Sequence, residues 1–421
     1  MRTLLVSLIA FVLGLATAFA ILSRTGMPVE ASAAPVPGSA RSAWTEFTER
    51  MAALGDRLFV ADFPAGEADR VRLQRHLIGV MIEGLQWEVD HGDAAHPVLM
   101  ASNGRFQQWG GPNADNLYYR AHVDSRFQYR LSGNLAGIDH VAVSLATGDM
   151  HMAAFETSRN VDVPELAPAE DGSFALSIGR EEMPGPWLQM APDHRILTVR
   201  AYIDDWGSQR PPELFLERVG LEGRAPAEID DAELARRITR AGDWIEANVV
   251  YWNAWLNQRL ALIPDNASLP AARVAGGSDD LFYGGIAYAL GPDEALVIEG
   301  PMVSGRYWAF QRSALGSFDT NYVDHPTSLN HHQIRPGSDG RFRLVLAHED
   351  PGVANWLDTE GQSEGLITHR WIGVAERPQI DTQKVRLAEL DGVLPQGEPR
   401  ITPEERREEV AARQRQAAWR N

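Results

Sequence analysis

The sequence predicts a mainly β protein with helical additions, an α+β arrangement of two duplicated antiparallel β-sandwiches behind an N-terminal helical cap and joined by a long helix. Three observations carry this expectation. Residues 171 to 202 and 339 to 371 repeat one another: each contains Asp-Gly-x-Phe-x-Leu, a Pro-Gly loop, Trp-Leu, and an apolar run ending in arginine, from Trp187-Leu188 to Arg200 and from Trp356-Leu357 to Arg370. Outside the helical stretches, short runs of alternating apolar and polar residues, such as Phe127 to Leu131 and Phe342 to Leu346, are separated by Gly, Pro and Asp turns, the pattern of antiparallel strands. Three further stretches place apolar residues three and four apart, the helical period. Two copies of this length imply a duplicated domain, because solenoid repeats are shorter and more numerous.

Residues 1–25 hold an apolar run from Leu4 to Leu22 behind Arg2. It is a signal peptide or a membrane anchor: it reaches the roughly 20 residues that span a bilayer, and Ala18-Phe19-Ala20 and Ala31-Ser32-Ala33 both offer small-residue cleavage sites. The body is expected outside the cytoplasm, periplasmic or secreted, or held at the inner membrane by this segment, with residues 4–22 its only membrane contact. Residues 26–41 are small, proline-containing and aperiodic, a flexible spacer. In the helical cap, 42–108, Trp44, Phe47, Met51 and Leu54 share one helical face, and a second helix runs from Glu67 to Trp87 and stops at His91-Gly92.

The first sandwich spans 109–222. The linking helix, 228–264, carries Leu234, Ile238, Ala241, Ile245, Val249, Trp252, Leu256 and Leu260 on one stripe, with Asn248 as the place for a bend. The second sandwich spans 275–390, and a match weaker than the central one pairs Asp115-Asn116-Leu117-Tyr118-Tyr119 with Asp280-Leu281-Phe282-Tyr283 at an offset of about 165 to 170 residues. The tail, 400–421, opens with Thr402-Pro-Glu-Glu405, a capping box with proline at the first helical position, and continues with Arg/Glu pairs as a solvated helix.

Composition removes several classes of chemistry. With 39 basic against 57 acidic residues the net charge is −18, which repels nucleic acid. Lys384 is the one lysine, which argues against Schiff-base and P-loop chemistry, and the absence of cysteine excludes disulfides, thiol nucleophiles and cysteine-held clusters. The GxSxG, HExxH, Walker and GxGxxG signatures are all missing. Gly110-Gly111 and Gly284-Gly285 read as turns or bulges between strands.

Three segments could carry a site. In Gln107 to His122, the aromatic residues Trp109, Tyr118 and Tyr119 stand among Asn113, Asp115 and Asn116, a mixture suited to a glycan or small hydroxylated ligand, although the same Asn and Asp residues serve equally as turn formers. In Asn355 to Arg370, Asp358 is a candidate acid or base, with His369 beside it in function and Trp356 and Arg370 as binding residues. The third segment holds His325, His331, His332 and His348 with nearby carboxylates. Adjacent His331 and His332 would point to opposite faces of an extended strand, so no metal and no cofactor is assigned.

Read together, Trp109-Gly110-Gly111 with Asn113, Asp115 and Tyr118, the Tyr129-Arg130 and Gly133 strand, and Asn355-Trp356-Leu357 resemble a bacterial family designated domain of unknown function 1214, over roughly residues 65 to 375. Pro112 and Ala114 depart from the family's Asp-Asn-Pro-Asp that follows Trp-Gly-Gly. The resemblance implies a two-part sandwich similar to the jelly rolls of glycan-processing amidases and virus capsids, and no reaction. The resulting expectation is an extracytoplasmic hydrolase with Asp358, Asp115 and His369 as catalytic groups, acting on a glycan or small hydroxylated ligand. The alternative is a non-catalytic ligand-binding or envelope scaffold protein.

Overall fold

The computed structural model describes residues 36–57, 66–152, 155–158, 160–273 and 280–418. The apolar leader and its bilayer contact therefore lie outside the described residues, as does most of the spacer. No described helix is long and apolar enough to cross a membrane.

Three helices form one layer. Helix α1 (Ala40–Arg57) buries Phe47, Met51 and Leu54, the predicted stripe, while Trp44 is half exposed. Helix α2 (Glu67–Leu85) runs into a single π turn, Gln86–Asp90, which buries Trp87 and Glu88. Helix α3 (Asp231–Ala261) begins at Asp230, whose carboxylate accepts from the Glu233 N–H at 2.8 Å, and continues uninterrupted through the buried Asn248. Their shared apolar cluster, with Leu73, Trp87, Trp244 and Ile245, extends onto the first sandwich at Met100, Ala146 and Ile196.

The first sandwich consists of β1 (Met100–Ser102), β2 (Asn116–His122), β3 (Tyr129–Asn134), β4 (Val141–Ala146), β5 (Ser173–Gly179), β6 (Trp187–Gln189), β7 (Ile196–Tyr202) and β8 (Glu213–Arg218). Its sheets have the orders β1-β2-β7-β4 and β6-β5-β3-β8. The second consists of β9 (Ala267–Arg273), β10 (Leu281–Ala289), β11 (Glu294–Pro301), β12 (Tyr307–Ser313), β13 (Ser328–Asn330), β14 (Arg341–Ala347), β15 (Trp356–Asp358), β16 (Glu364–Ile372) and β17 (Asp381–Arg386). Its sheets have the orders β13-β12-β16-β10-β9 and β15-β14-β11-β17. Replacing each strand by its repeat partner superposes the two topologies, down to one parallel pair in each, β5 with β6 and β14 with β15. Strand β13 is an addition at one edge of the second copy.

Each sandwich has its own core. Tyr129, Leu131, Leu176 and Leu197 are buried in the first. In the second, Trp308 and Trp371 stack at 5.2 Å beside Phe310 and Phe342. Strand β12 is buried at every position, and β16 at all but its first. A two-layer sandwich leaves one face of each sheet wet, so burial on both faces means that something covers this sheet from outside, and that cover is the first sandwich, through Tyr202, together with the end of α3, through Leu256.

The two sandwiches are pinned by the loop before β2. Asp115, 1% exposed, accepts hydrogen bonds from Trp206 Nε1 at 2.7 Å, Tyr307 Oη at 2.7 Å and Asn330 Nδ2 at 2.9 Å. Gln311 of β12 donates to the Pro112 carbonyl at 2.6 Å and accepts from the Ala114 N–H at 2.8 Å. Gly110 and Gly111 in this loop have φ of 69° and 64°, and a Cβ on Gly111 would stand 2.4 Å from the Phe318 ring, so glycine is required here by both conformation and space.

The C-terminal helix α4 (Pro403–Ala417) has the predicted capping box, with the Thr402 N–H donating to Glu405 Oε2 at 2.8 Å. It is docked rather than simply solvated. Arg406 and Arg413, both under a tenth exposed, reach into the second sandwich and donate to the carbonyls of Val353 and Tyr322, and Arg413 also lies 4.7 Å from the centre of the Trp206 ring. Arginine stems supply the buried face that the helix lacks in apolar residues.

Gly284 sits in β10 beside a register irregularity, the bulge expected from the glycine pair. A Cβ there would stand 2.0 Å from Cε1 and 2.2 Å from Nε2 of the buried His369 ring, whereas a Cβ on Gly285 would meet Ile263 and Leu366 at 3.3 and 3.4 Å. Gly284→Ala is therefore expected to lose about 1–3 kcal/mol of stability through overpacking, and Gly285→Ala much less. Urea denaturation of the two variants tests this, and equal losses would contradict it.

Candidate ligand-binding site

A cavity of about 530 Å³ lies between the outward sheets of the two sandwiches. From the first copy, Asn116, Tyr118 and Arg120 of β2 and Thr198 and Arg200 of β7 face it; from the second come Tyr283 of β10 and Thr368 and Arg370 of β16. Helix α3 adds Trp252, Trp255 and Arg259. The remaining wall includes Trp109 and both glycine pairs, Gly110-Gly111 and Gly284-Gly285, so these glycines shape a ligand-sized space as well as turning the chain. The volume falls in the range of small-molecule pockets.

Strand alternation sorts the predicted residues. Tyr118 and Arg370 face the cavity, while their neighbours Tyr119 and His369 face the sandwich cores. Trp109 lines the cavity with its Nε1 donating to Glu83 Oε1 at 3.2 Å. Asn113 lies behind the wall, where its backbone N–H donates to the Tyr118 hydroxyl at 2.8 Å and its Nδ2 donates to Tyr307 Oη at 2.9 Å. Trp356 is buried beneath α4, with the Arg406 guanidinium 5.4 Å from its ring centre.

The three residues expected to act as catalytic groups occupy three different surroundings, and none lines the cavity. Asp115 is the buried junction described above. Asp358, in the second sandwich's other sheet, accepts from His325 Nδ1 at 2.7 Å and from the Glu360 N–H at 2.7 Å. His369 is fully buried, accepts from Trp371 Nε1 at 2.7 Å, and is depressed to about 3 by burial, so it stands neutral in the core. Among the described lining residues the one carboxylate is Asp149. Burial alone would raise it, but its ion pair with Arg120 and a 2.7 Å hydrogen bond from Trp244 Nε1 hold it below the ordinary carboxylate range.

The cavity wall is electropositive although the chain is acidic. Arg370 is 4% exposed; its Nη2 donates to the Gly111 carbonyl at 3.0 Å, while Nε and Nη1 have no hydrogen-bond partner. Burial works against its charge, and the groups that most favour that charge are three phenols, Tyr283, Tyr118 and Tyr307. Among the described residues no carboxylate forms an ion pair with Arg370, Arg200 or Arg259. Arg259 at least stands in the last turn of α3, where the helix dipole favours a cation.

Sequence reasoning missed Arg200, Arg259, Tyr283 and the α3 tryptophans as site residues. The repeat held a usable signal for one of them, Arg200: Thr198-Val-Arg200 and Thr368-His-Arg370 are the same triplet in the two copies. The histidine cluster also differs from expectation. His331 and His332 lie in a turn rather than an extended strand, so their rings stand 4.2 Å apart on one side, and their ligand atoms and that of Asp204 all lie within 4.8 Å of one another. These three are the residues able to share a cation.

Comparison with known proteins locates relatives of the fold. An uncharacterised protein from Burkholderia cenocepacia is similar to this chain, with 28% identity over 83% of this chain and 98% of its own, at a TM-score of 0.76. A protein from Vibrio parahaemolyticus aligns over 80% of this chain and 99% of its own at 10% identity, with a TM-score of 0.42. Neither a family model nor a curated protein matches. The likeness to the Burkholderia protein supports the β-rich fold.

Three histidines near the site or in the cores are held uncharged: His122 at about 3, His151 at about 4 and His369 at about 3, in each case chiefly by burial. Between those values and the unfolded value near 6.5 the unfolded chain binds more protons, so stability is full above about pH 6.5 and falls as pH drops. Near pH 5 these three contribute a slope of about 4 kcal/mol per pH unit, opposed in part by Glu83 and Glu88, which burial raises. Urea denaturation at pH 7 and pH 5 is expected to show a marked loss at pH 5, smaller in His369→Asn. Equal or higher stability at pH 5 would contradict it.

Proposed function

We propose that this protein is a non-catalytic binder of a small organic acid with an apolar or aromatic body, held in the cleft between its two sandwiches. The observation that carries the reading is Arg370, a buried guanidinium at the cavity wall with two unpartnered nitrogens and no carboxylate counter-charge among the described residues. A buried cation with no counter-charge is costly, and an anionic ligand reduces that cost. Trp109, Trp252, Trp255 and Phe318 offer rings to the rest of the molecule.

The hydrolase reading has less support. Carboxylate acid–base catalysis needs two titratable groups facing one substrate, and Asp149, the one carboxylate among the described lining residues, is neutralised by Arg120. The apolar leader favours a place outside the cytoplasm, which suits a solute-capturing protein.

Calorimetry on the purified chain with octanoate, indole-3-acetate and their uncharged amides tests the proposal. The acids are expected to bind at least about tenfold more tightly than the amides, with that advantage lost in Arg370→Met. Binding of neither acid, or turnover of a glycan substrate by the wild type, would sink it.

A further inference from the structure

The duplication places the same three residues on both sides of the cleft. In the first copy Arg200 of β7 lies between Tyr118 of β2 and Ala142 of β4. In the second, Arg370 of β16 lies between Tyr283 of β10 and Ala309 of β12. Each arginine is preceded two residues earlier by a threonine that faces the same cavity, Thr198 and Thr368. Strand alternation keeps threonine and arginine on one face, so each copy presents one hydroxyl and one guanidinium.

These two arms line one cavity. Tyr118, the register neighbour of Arg200, accepts from the Asn113 N–H at 2.8 Å, and Arg370 donates to the Gly111 carbonyl at 3.0 Å, so one short loop holds a group from each arm. Neither arginine is ion-paired among the described residues, whereas Arg120 on the same wall is matched by Asp149. A monoanion would neutralise one of the two charges and leave the other facing a largely desolvated space.

Resting on the acid-binding reading above, we propose that the ligand of the cleft is an organic dianion, held between the sandwiches by the repeated Thr-x-Arg arms, Thr198 with Arg200 and Thr368 with Arg370. Two ligand chemistries supply that charge: a dicarboxylate, with one group for each arm, or a phosphomonoester, whose single head takes both guanidiniums. The apolar remainder of the molecule lies against the tryptophans of α3.

The test compares three probes of matched chain length on the full chain by calorimetry: octanoate, octanedioate and octyl phosphate. At least one dianion is expected to bind ten times or more as tightly as octanoate, and whichever does so identifies the head group. Arg200→Met should erase that advantage, the affinity for the dianion falling at least about tenfold and further than that for octanoate, and Arg200→Lys should retain part of it. Arg200 is only partly buried, so its variants are expected to fold, with circular dichroism as the control. If octanoate binds as tightly as both dianions, or the advantage survives in Arg200→Met, the dianion proposal falls and the monoacid reading stands. If none of the three binds, both fall.

Discussion

The arrangement depends on one buried carboxylate. Asp115 takes hydrogen bonds from Trp206 in the first sandwich and from Tyr307 and Asn330 in the second. A buried charge is tolerated only while its partners are all in place, and losing one leaves it uncompensated. Tyr307 answers by remaining a donor: burial and the Asp115 charge push its hydroxyl well above the ordinary phenol range. The junction therefore forms completely or not at all, which fixes how the two outer sheets face each other. The loop that carries Asp115 also supplies Gly110, Gly111 and Pro112 to the cavity wall and the carbonyl that holds Arg370. One short segment thus sets both the angle between the sandwiches and the shape of the space they enclose.

Duplication explains why the site lies between the copies rather than inside either. Each sandwich fills its interior with leucine, valine and aromatic rings, leaving no room for a ligand. The surfaces left for function are the outward sheet faces, and in two copies with one topology these carry the same positions. Bringing the faces together buries them, which is why β12 is buried at every position and β16 at all but its first. It also sets Arg200 and Arg370 on the wall of one cavity, an arrangement that a negative ligand between them would favour.

Much of the fold was legible in sequence, and the reason is periodicity. The stripes of α1, α2 and α3 and the capping box of α4 are local patterns, and the repeat from Asp171 and Asp339 onward disclosed the duplication before any strand was placed. The site was legible only in part. Trp109, Tyr118 and Arg370 face the cavity, whereas Tyr119 and Trp356, chosen on the same aromatic character, pack into the cores. Asp115, Asp358 and His369 carried the right chemistry in the wrong surroundings. Single-residue chemistry cannot distinguish a carboxylate that meets substrate from one that meets Trp206, Tyr307 and Asn330, since those partners lie 91 to 215 positions away in the chain. The alternation of β16 would have separated His369 from Arg370, because adjacent residues on a strand cannot face the same ligand.

The charge balance gains meaning from the cavity. A chain of net charge −18 repels anions at long range, yet the wall to which Arg200, Arg259 and Arg370 contribute is positive, and Arg370 in it is buried. These effects act at different distances: surface repulsion is screened within about 8 to 10 Å of salt solution, whereas an interaction in a desolvated cleft is screened far less. The acidic exterior therefore does little to weaken an anion once it is inside. It discourages multivalent polyanions, whose many charges stay outside the cleft and feel the whole surface. The combination favours a small, compact anion over nucleic acid or an acidic polymer, a selectivity that neither the net charge nor the three arginines would produce alone.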